Sequence, residues 1–380
     1  MKIVFVSNFI NHHQVNVADE LYKLCQGQYW FIETNPISEA LINSGYPVFS
    51  RPYLIKTYDG MDKMQYAKKT IDEADVVVIG DAPESLVDSR ILNNKLTFRY
   101  SERWFKSRPW FLTGPRGWVN FYKNHIRHRN KPLYMLCASA YTAKDVNAIG
   151  AYKNKCFKWG YFTNVAELDI STIRSKTLIA CNKVHIMWCA RFLKWKHPEL
   201  PIKLAAKLKD KGYNFVIDMF GSGDELLKIK KLVKSLKVEE YINFRGNLPN
   251  DIILNEMRRH HIFLFTSDRN EGWGAVLNEA MSSGCAVVGS DKIGAVPYLI
   301  EDYKNGLIFK SGNLKSLTQK VALLLDHPKL IEALSIEAYN TMRDLWSPQN
   351  AARSFLSLVE ALNTKDCSKI PMNGPCSITR

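Results

Sequence analysis

The feature that most constrains the fold of this chain is a regular alternation of short β-type runs with helical stretches from end to end. Such alternation is typical of parallel sheets whose strands are joined by helical crossovers. The predicted strands of the N-terminal half lie at 3–7, 30–33, 76–80, 96–100, 133–138 and 156–161. Those of the C-terminal half lie at 184–190, 215–221, 242–246, 262–266, 286–290 and 306–309.

Length and apolar content divide this pattern between two domains. At 380 residues and 46% hydrophobic content, the chain exceeds one ordinary domain and can bury two cores. The polar stretch 164–176 lacks an apolar period, and we place the interdomain linker there. We therefore predict an α/β fold of two doubly wound, Rossmann-like domains, residues 1–165 and 166–346, that face a central cleft.

The C-terminal region departs from the alternation. Residues 314–328 and 347–363 have the apolar spacing of amphipathic helices, and Ser347 followed by Pro348 is a helix start signal. We expect the helix at 347–363 to pack back on the N-terminal domain. Residues 364–380 are rich in turn-forming residues and are expected to form a disordered tail.

Composition restricts the class of protein. The first ten residues, MKIVFVSNFI, lack the features of a signal peptide, and no apolar stretch reaches the roughly 18 residues that cross a bilayer. The eight cysteines show no CxxC pair and no metal-ligand spacing. We therefore expect a reduced, cytoplasmic chain without a zinc site. The net charge of +15 predicts an anionic partner and leaves nucleic acid, a membrane surface and phosphorylated ligands open.

The segment 266–290 combines a strand end, a glycine-containing turn, a helix that ends at Gly284 and a further strand. The helix is predicted to begin near 272–275, so its unpaired amides suit a diphosphate. Glu271 and Glu279 could hold different hydroxyls of one polyhydroxylated ligand. By composition alone, the alternative of a solvated acidic loop and a surface glutamate is the commoner situation.

The sequence EGWGAVLNE at 271–279 resembles the signature of the family 4 retaining glycosyltransferases of GT-B architecture. The resemblance implies that Glu271 contacts the hydroxyls of a donor sugar and that Glu279 binds ribose hydroxyls. It also implies that backbone amides take sugar and phosphate oxygens at Gly272, Trp273, Gly274 and Ala275.

Other landmarks of the same family occur upstream in the expected order. Arg191 and Lys196 follow the first strand of the second domain, where the family places two cations that neutralise the departing diphosphate. Gly221 and Gly223 resemble a tight turn at the cleft. The turn that the resemblance places against the nucleotide base comprises Arg245, Gly246, Asn247 and Leu248.

The closing segment 290–309 also resembles the family but departs from it at two positions. Ala295 stands where a second glycine is common, and Tyr298 stands where an acidic residue is common. These departures leave the donor sugar unidentified.

The N-terminal half matches the family in outline and would hold the acceptor side. The loop after the first strand offers polar groups instead of the usual glycines, namely Asn11, His12, His13 and Gln14. These groups either contact donor or acceptor or simply cap a helix. Glu102 either orients an acceptor hydroxyl or pairs with Arg99 or Arg103 on the surface.

Residues 95–131 have the most unusual composition, with ten Lys or Arg, one acidic residue and nine aromatics, Trp110 among them. Basic and aromatic residues together suit an anionic membrane surface near a lipid-linked acceptor. A plain solvated or packed insert and single-strand nucleic-acid binding are the alternatives. We disfavour nucleic acid because no RNA- or DNA-binding signature accompanies the segment.

The predicted activity is transfer of a sugar from a nucleotide-diphosphate donor to a saccharide hydroxyl with retention, in cell-surface polysaccharide synthesis. The sequence contains no Asp-x-Asp, so we expect neither a metal nor another cofactor, and positive side chains would neutralise the diphosphate. The alternatives are a nucleotide-sugar epimerase of the same architecture and a noncatalytic membrane- or nucleic-acid-binding protein.

Overall fold

A computed structural model of the chain describes residues 1–43, 46–106, 114–180 and 183–379. The chain forms two compact units. Unit 1 comprises Met1–Asn164 together with Leu345–Arg380, and unit 2 comprises Val165–Asp344.

Unit 1 is built on a parallel sheet in the order β3-β2-β1-β4-β5-β6-β7. Its strands are short and mostly buried: β1 Ile3–Ser7, β2 Tyr29–Glu33, β3 Leu54–Lys56, β4 Val76–Ile79, β5 Thr97–Ser101, β6 Leu133–Cys137 and β7 Cys156–Lys158. The strand order reverses between β1 and β4, so right-handed crossovers place helices on both faces.

The helices of unit 1 are α1 Val15–Leu24, α2 Glu39–Asn43, α3 Met61–Glu73, α4 Asp88–Leu92, α5 Pro115–Asn124, α6 Thr142–Ala148 and α15 Pro348–Thr364. The last of these packs against α1, and its Phe355 ring makes edge-to-face contacts with the rings of Phe98 and Trp159. The Ser347 side chain accepts a hydrogen bond from the Asn350 amide and caps the start of this helix.

The expectation of a disordered tail at 364–380 is wrong for its described part, 364–379. Ile378 forms an antiparallel bridge to Phe157, and the Cys376 amide donates to the Lys158 carbonyl at 2.7 Å. Cys376 and Ser377 are almost fully buried. The turn residues therefore shape a return of the chain to the exposed edge of β7, which a compositional argument does not reveal.

Unit 2 is built on a six-stranded parallel sheet in the order β10-β9-β8-β11-β12-β13. The strands are β8 Val184–Cys189, β9 Phe215–Phe220, β10 Ile242–Gly246, β11 Ile262–Phe265, β12 Ala286–Ser290 and β13 Leu307–Phe309. The helices are α7 Ile170–Ala180, α8 Glu199–Lys209, α9 Leu226–Ser235, α10 Asn250–Arg259, α11 Val276–Ser282, α12 Val296–Leu299, α13 Leu314–Asp326 and α14 Pro328–Asn340. The core packs apolar residues of β8 and β9 against α8, α9, α13 and α14.

The predicted linker at 164–176 is wrong in its second part, because α7 begins at residue 170. Ile173 is buried and lies where a side chain at Gly284 would meet it at 3.0 Å. Lys176 is also buried, and its ammonium donates to the carbonyls of His260 and Gly284, both at 2.7 Å. A buried lysine hides the apolar period of the helix from a sequence argument.

Candidate functional site

The candidate site lies at the carboxyl ends of the unit 2 strands, where the strand order reverses between β8 and β11. In open parallel sheets this reversal opens a crevice that binds ligands. The loop that follows β8 carries Arg191 and Lys196, and the loop that follows β11 carries Glu271. The topology therefore brings the three predicted catalytic residues to one edge of the sheet.

Two glycines allow the loops after β8 and β9 to approach closely. A Cβ on Gly221 (φ +122°) would lie 2.1 Å from the Ala190 carbonyl oxygen, and one on Gly223 (φ +146°) would lie 2.8 Å from that of Phe192. The Phe192 amide in turn donates to the Ser222 carbonyl at 2.8 Å. No other residue fits at either position without moving backbone.

The loop after β8 is also bound to the loop after β11. The Thr266 hydroxyl donates to the Lys196 carbonyl at 2.7 Å and accepts from the Trp188 indole at 2.9 Å. The Asp268 amide donates to the Trp195 carbonyl at 3.0 Å. These contacts fix the backbone from which the Lys196 side chain extends, and sequence reasoning did not identify Thr266 or Asp268.

Lys196 and Glu271 form an ion pair at the centre of this region. Each side chain is 11% exposed, and the ammonium also lies 4.2 Å from the centroid of the Trp195 ring. Arg191 is exposed and forms no ion pair with any residue that the structure describes. The site thus presents one cation that is already neutralised and one that is available to an anion.

The loop that runs from Glu271 into α11 needs glycine at position 274. Gly274 has φ +92°, and a Cβ there would lie 2.3 Å from the Phe265 ring. Gly272 is buried and Ala275 precedes α11. The Trp273 indole is fully buried and donates to Asn278 at 2.9 Å, so only the backbone of Trp273 is open to a ligand role.

Glu279 lies on α11 and is 9% exposed. Burial raises the pKa of its carboxyl to about 7, although a weak hydrogen bond from the Asn250 amide, at 3.5 Å, acts in the opposite direction. The Asn250 side chain extends from the start of α10, directly after the predicted base-binding turn. Sequence reasoning missed this residue, which joins the two segments.

The predicted base-binding turn is held at the edge of the sheet. Gly246 has φ +75°, faces open space and accepts from the Gly221 amide at 2.7 Å. Asn247 is exposed and Leu248 is half-buried. The Arg245 guanidinium donates to Asp218 at 2.7 Å.

The closing segment is bound to the Glu271 loop through its backbone. The Gly294 amide donates to the Glu271 carbonyl at 3.3 Å, and the Ala295 amide donates to the Trp273 carbonyl at 3.2 Å. Ala295 is fully buried, and the Tyr298 ring lies 6.2 Å from that of Trp273. The two positions that depart from the family pattern therefore support the loop that carries Glu271.

Unit 1 contains a polar cavity of about 450 Å³ at its own strand reversal. Its lining comes from the carboxyl ends of β1, β4 and β5, from the loop before α1 and from the segment after β7: Ser7, Asn8, Asn11, Gln14, Gly80, Asp81, Tyr100, Ser101, Glu102 and Tyr161. The Gln14 side chain is 7% exposed, and its carbonyl oxygen has no partner among the described residues.

His12 and His13 lie beside this cavity. Burial lowers the pKa of His12, and burial together with the neighbouring His12 lowers the pKa of His13 well below its usual value. The His13 ring stacks on Tyr161 with centroids 4.9 Å apart. Both rings are therefore neutral near pH 7, and neither Nδ1 has a partner within the described part of the chain.

Glu102 lines the cavity and is held from two sides. Tyr161 and Lys106 each donate to one of its carboxylate oxygens at 2.6 Å. The alternative that Glu102 pairs with Arg99 or Arg103 is wrong. Those cations pair with Glu84 and Asp145, respectively.

The basic and aromatic segment 95–131 is partly internal. Arg99 and Arg103 have side chains at most 9% exposed, and the rings of Trp104 and Trp118 pack against Phe121. In contrast, α5 buries none of its residues, and Val119 and Tyr122 are 63% and 62% exposed. Trp110 lies outside the described residues.

No helix within the described ranges combines the length and apolar character that a membrane span requires.

Comparison with known sequences identifies a shared domain. Residues 169–341 match the family model of the glycosyl transferases group 1. The chain is 24% identical over 182 residues to an uncharacterised glycosyltransferase of Methanocaldococcus jannaschii, covering 48% of this chain and 46% of that protein. It is 31% identical over 176 residues to the N-acetylgalactosamine-N,N'-diacetylbacillosaminyl-diphospho-undecaprenol 4-alpha-N-acetylgalactosaminyltransferase of Campylobacter jejuni, covering 45% and 46%. Each match spans less than half of the relative's length.

Comparison with solved structures establishes the fold. Anabaena HepE in complex with UDP has a TM-score of 0.68 at 14% identity, covering 95% of this chain and 100% of that chain. The pneumococcal O-GlcNAc transferase GtfA in complex with UDP and GlcNAc has a TM-score of 0.63 at 12% identity, covering 95% and 99%. WaaG, a glycosyltransferase involved in lipopolysaccharide biosynthesis, has a TM-score of 0.59 at 13% identity, covering 92% and 98%. The predicted pair of Rossmann-like domains is thereby confirmed.

Proposed function

We propose that this chain is a group 1 glycosyltransferase, because residues 169–341 match the model of that family and the fold is that of GT-B enzymes. In this proposal it transfers a sugar from a nucleotide-diphosphate donor to a saccharide hydroxyl with retention of configuration. The observation that carries the proposal is the Lys196–Glu271 ion pair at the strand reversal of unit 2. Buried charges are costly to hold. A ligand that presents an anion and hydroxyls side by side would use both members of the pair.

In this proposal, Arg191 and Lys196 contact the donor diphosphate and Glu271 accepts hydrogen bonds from the sugar hydroxyls. The exposed Arg191 guanidinium supplies the positive charge that the Lys196–Glu271 pair lacks. Glu279 accepts from the ribose hydroxyls, and the turn at 245–248 lies against the base. The close approach of the loops at Gly221 supports this arrangement because the turn is hydrogen-bonded to the same glycine.

The proposed reaction is a front-face displacement. The bond between the anomeric carbon and the diphosphate oxygen breaks while the acceptor hydroxyl attacks the same face. The hydroxyl proton moves to the departing phosphate oxygen, so the products are the glycoside and the protonated nucleotide diphosphate. Arg191 and Lys196 stabilise the charge that develops on the leaving group, a role suited to preorganised cations. They make a divalent cation unnecessary in this scheme.

We place the acceptor at the polar cavity of unit 1. Neutral hydroxyls need both donors and acceptors, and the cavity offers amide, hydroxyl and carboxylate groups. The unpartnered Gln14 carbonyl supports this role, since a buried unsatisfied oxygen gains from a ligand hydroxyl. Glu102, held by Tyr161 and Lys106, would orient the acceptor.

The acceptor is proposed to be lipid-linked and the chain to act at a cytoplasmic membrane face, in cell-surface polysaccharide synthesis. The exposed face of α5 supports this because apolar Val119 and Tyr122 accompany Arg116 and Lys123. Co-sedimentation with anionic vesicles should be stronger than with neutral ones and should weaken in a V119S/Y122S double variant. Equal binding of both proteins would refute this part.

The central test is a thermal-shift screen of UDP-, GDP-, ADP- and CMP-sugars. A ligand that binds only the native state raises the unfolding temperature. We expect one nucleotide class to do so for the wild-type chain and for Lys194→Met, an exposed-lysine control beside the site, and not for Arg191→Met. No shift with any donor would overturn the proposal.

The donor that gives a shift is then incubated with saccharide acceptors and the product is analysed by NMR. A new glycosidic bond with the anomeric configuration of the donor is expected. An inverted product would refute retention. Conversion of the donor sugar to an isomer without any acceptor would instead favour a nucleotide-sugar epimerase of the same fold.

A further inference from the structure

A second cluster of chemically active side chains lies in unit 2 and contacts the predicted base-binding turn at one point, where Asp218 accepts from Arg245. His185 is the second residue of β8, Asp218 lies within β9, and His260 lies two residues before the start of β11. The donor-site loops follow the carboxyl ends of these strands, whereas both histidines lie at their amino ends. Strands of this length separate their two ends by roughly 13–20 Å.

We propose that His185, Asp218 and His260, none of which is a proposed donor-binding residue, form a zinc site that stabilises unit 2. Their ligand atoms all lie within 4.8 Å of one another. The His260 Nε2 atom is 2.9 Å and the His185 Nδ1 atom is 4.0 Å from the same oxygen of Asp218. Two imidazoles and one carboxylate are ligands that Zn²⁺ takes in proteins.

The hydrogen bonds of His260 orient its Nε2 atom toward Asp218. Its Nδ1 atom lies 2.6 Å from the Glu256 carbonyl oxygen, which can only accept, so Nδ1 carries a hydrogen. The Nε2 atom then faces the Asp218 carboxylate at 2.9 Å. A zinc ion bound to both atoms would widen this separation to roughly 3.3 Å. A backbone carbonyl on the other nitrogen is a usual support of a metal-bound histidine.

The Asp218 carboxylate is oriented for the same purpose. Its other oxygen accepts from the Asn243 amide at 3.0 Å and from the Arg245 guanidinium at 2.7 Å. These bonds hold the oxygen that faces the histidines in place. Arg245 is 52% exposed, so water screens much of its charge from the proposed ion.

His185 is the exposed ligand of the proposed site. Its side chain is 44% exposed, whereas those of Asp218 and His260 are almost fully buried. Tetrahedral zinc with bonds of about 2.0–2.1 Å separates its ligand atoms by roughly 3.3 Å. A small rotation of the exposed ring therefore closes the site and leaves a fourth position to water. The three residues are far apart in the sequence, which explains why ligand spacing along the chain does not reveal them.

The test uses the full chain without a histidine tag, stripped with a chelator and titrated with Zn²⁺ against a chromophoric competitor. We expect one ion per chain with a sub-micromolar Kd. His185→Asn should weaken binding at least tenfold. The matched control is His327→Asn, which changes an exposed histidine of the same unit at the end of α13 and should bind like the wild type.

Two further readouts separate a site from adventitious binding. Zn²⁺ should raise the unfolding temperature of the wild type and of the His327→Asn control, but not of His185→Asn. Co²⁺ in place of Zn²⁺ should give the visible absorption of a four-coordinate ion in the same two proteins. The chelated protein should still give the donor thermal shift, so failure of this site and failure of the proposed function are distinguishable.

The proposal is overturned if the wild type binds Zn²⁺ no more tightly than His185→Asn. It is also overturned if binding occurs but is equal in all three proteins. Either result would leave His260 hydrogen-bonded to Asp218 without a bound ion.

Discussion

Replacement of Glu279 by Gln should make the protein more stable while removing donor binding. The change keeps the shape of the side chain and its acceptor for Asn250 but removes a buried charge. Burial raises the carboxyl pKa from 4.5 to about 7. Each unit of pKa corresponds to about 1.4 kcal/mol, so the ionised form lowers the free energy of unfolding by about 3 kcal/mol.

The sign of this effect depends on pH. Because the folded pKa lies above the unfolded one, the folded chain binds more protons between pH 4.5 and about 7. The free energy of unfolding therefore falls as the pH rises through this window, and above it the whole penalty of burying the ionised carboxylate is present. The gain from Glu279→Gln should be absent near pH 4 and complete at pH 8. For a unit of this size, about 3 kcal/mol corresponds to roughly 6–12 °C in unfolding temperature.

The assay is thermal unfolding of the wild type and the variant at pH 4 to 8, without ligand. Glu240→Gln, at an exposed position of the same unit, is the matched control and should unfold like the wild type at every pH. The donor nucleotide should then stabilise the wild type and the control but not Glu279→Gln. A variant that is less stable than the wild type at pH 8, or a gain that does not depend on pH, would refute the reasoning.

Three further predictions concern the stability of unit 2 and the transfer reaction. Gly274→Ala should lower the free energy of unfolding by about 2–4 kcal/mol in denaturant titrations, because φ is +92° and the new Cβ would overlap the Phe265 ring. The control Gly312→Ala, where φ is +70° but the surrounding space is open, should lower it by about 1 kcal/mol. Lys196→Met should lower the free energy of unfolding by about 3–5 kcal/mol and abolish transfer, because it leaves the buried Glu271 without its partner. The control Lys194→Met, at an exposed position, should behave as the wild type in unfolding and activity assays. Transfer should persist in EDTA at temperatures well below unfolding; loss of activity that manganese restores would contradict the metal-independent scheme.

Much of the fold follows from the sequence because each buried strand is a short apolar run between polar turns. All twelve predicted strands are present, and three of them, Ile3–Ser7, Ile242–Gly246 and Ala286–Ser290, have the predicted bounds. The strand at Leu54–Lys56 was missed because it has three residues, lies at the sheet edge and alternates buried and half-buried positions. A run of three residues is too short to show the alternation of apolar and polar positions that indicates a strand.

The glycines of the candidate site were predictable because backbone geometry restricts them. Gly221, Gly223 and Gly274 have positive φ and neighbours that leave no room for a side chain, so the sequence must show glycine there. Thr266 and Asn250 were missed for the opposite reason. They act through hydrogen bonds to distant residues, and many side chains could occupy their positions without altering the local pattern.

The two carboxylates of the candidate site, Glu271 on the loop and Glu279 on α11, lie in different electrostatic surroundings. Glu271 is buried beside Lys196, so its charge is compensated before any ligand arrives. Glu279 accepts a weak hydrogen bond from the Asn250 amide, and burial raises its pKa to about 7. A ligand hydroxyl that donates to Glu279 would favour its ionised form, whereas a diphosphate would compete with Glu271 for Lys196. Donor binding should therefore depend on pH through the ionisation of Glu279. It should depend on ionic strength through Lys196 and Arg191, because the diphosphate binds by exchanging ion pairs, which salt screens.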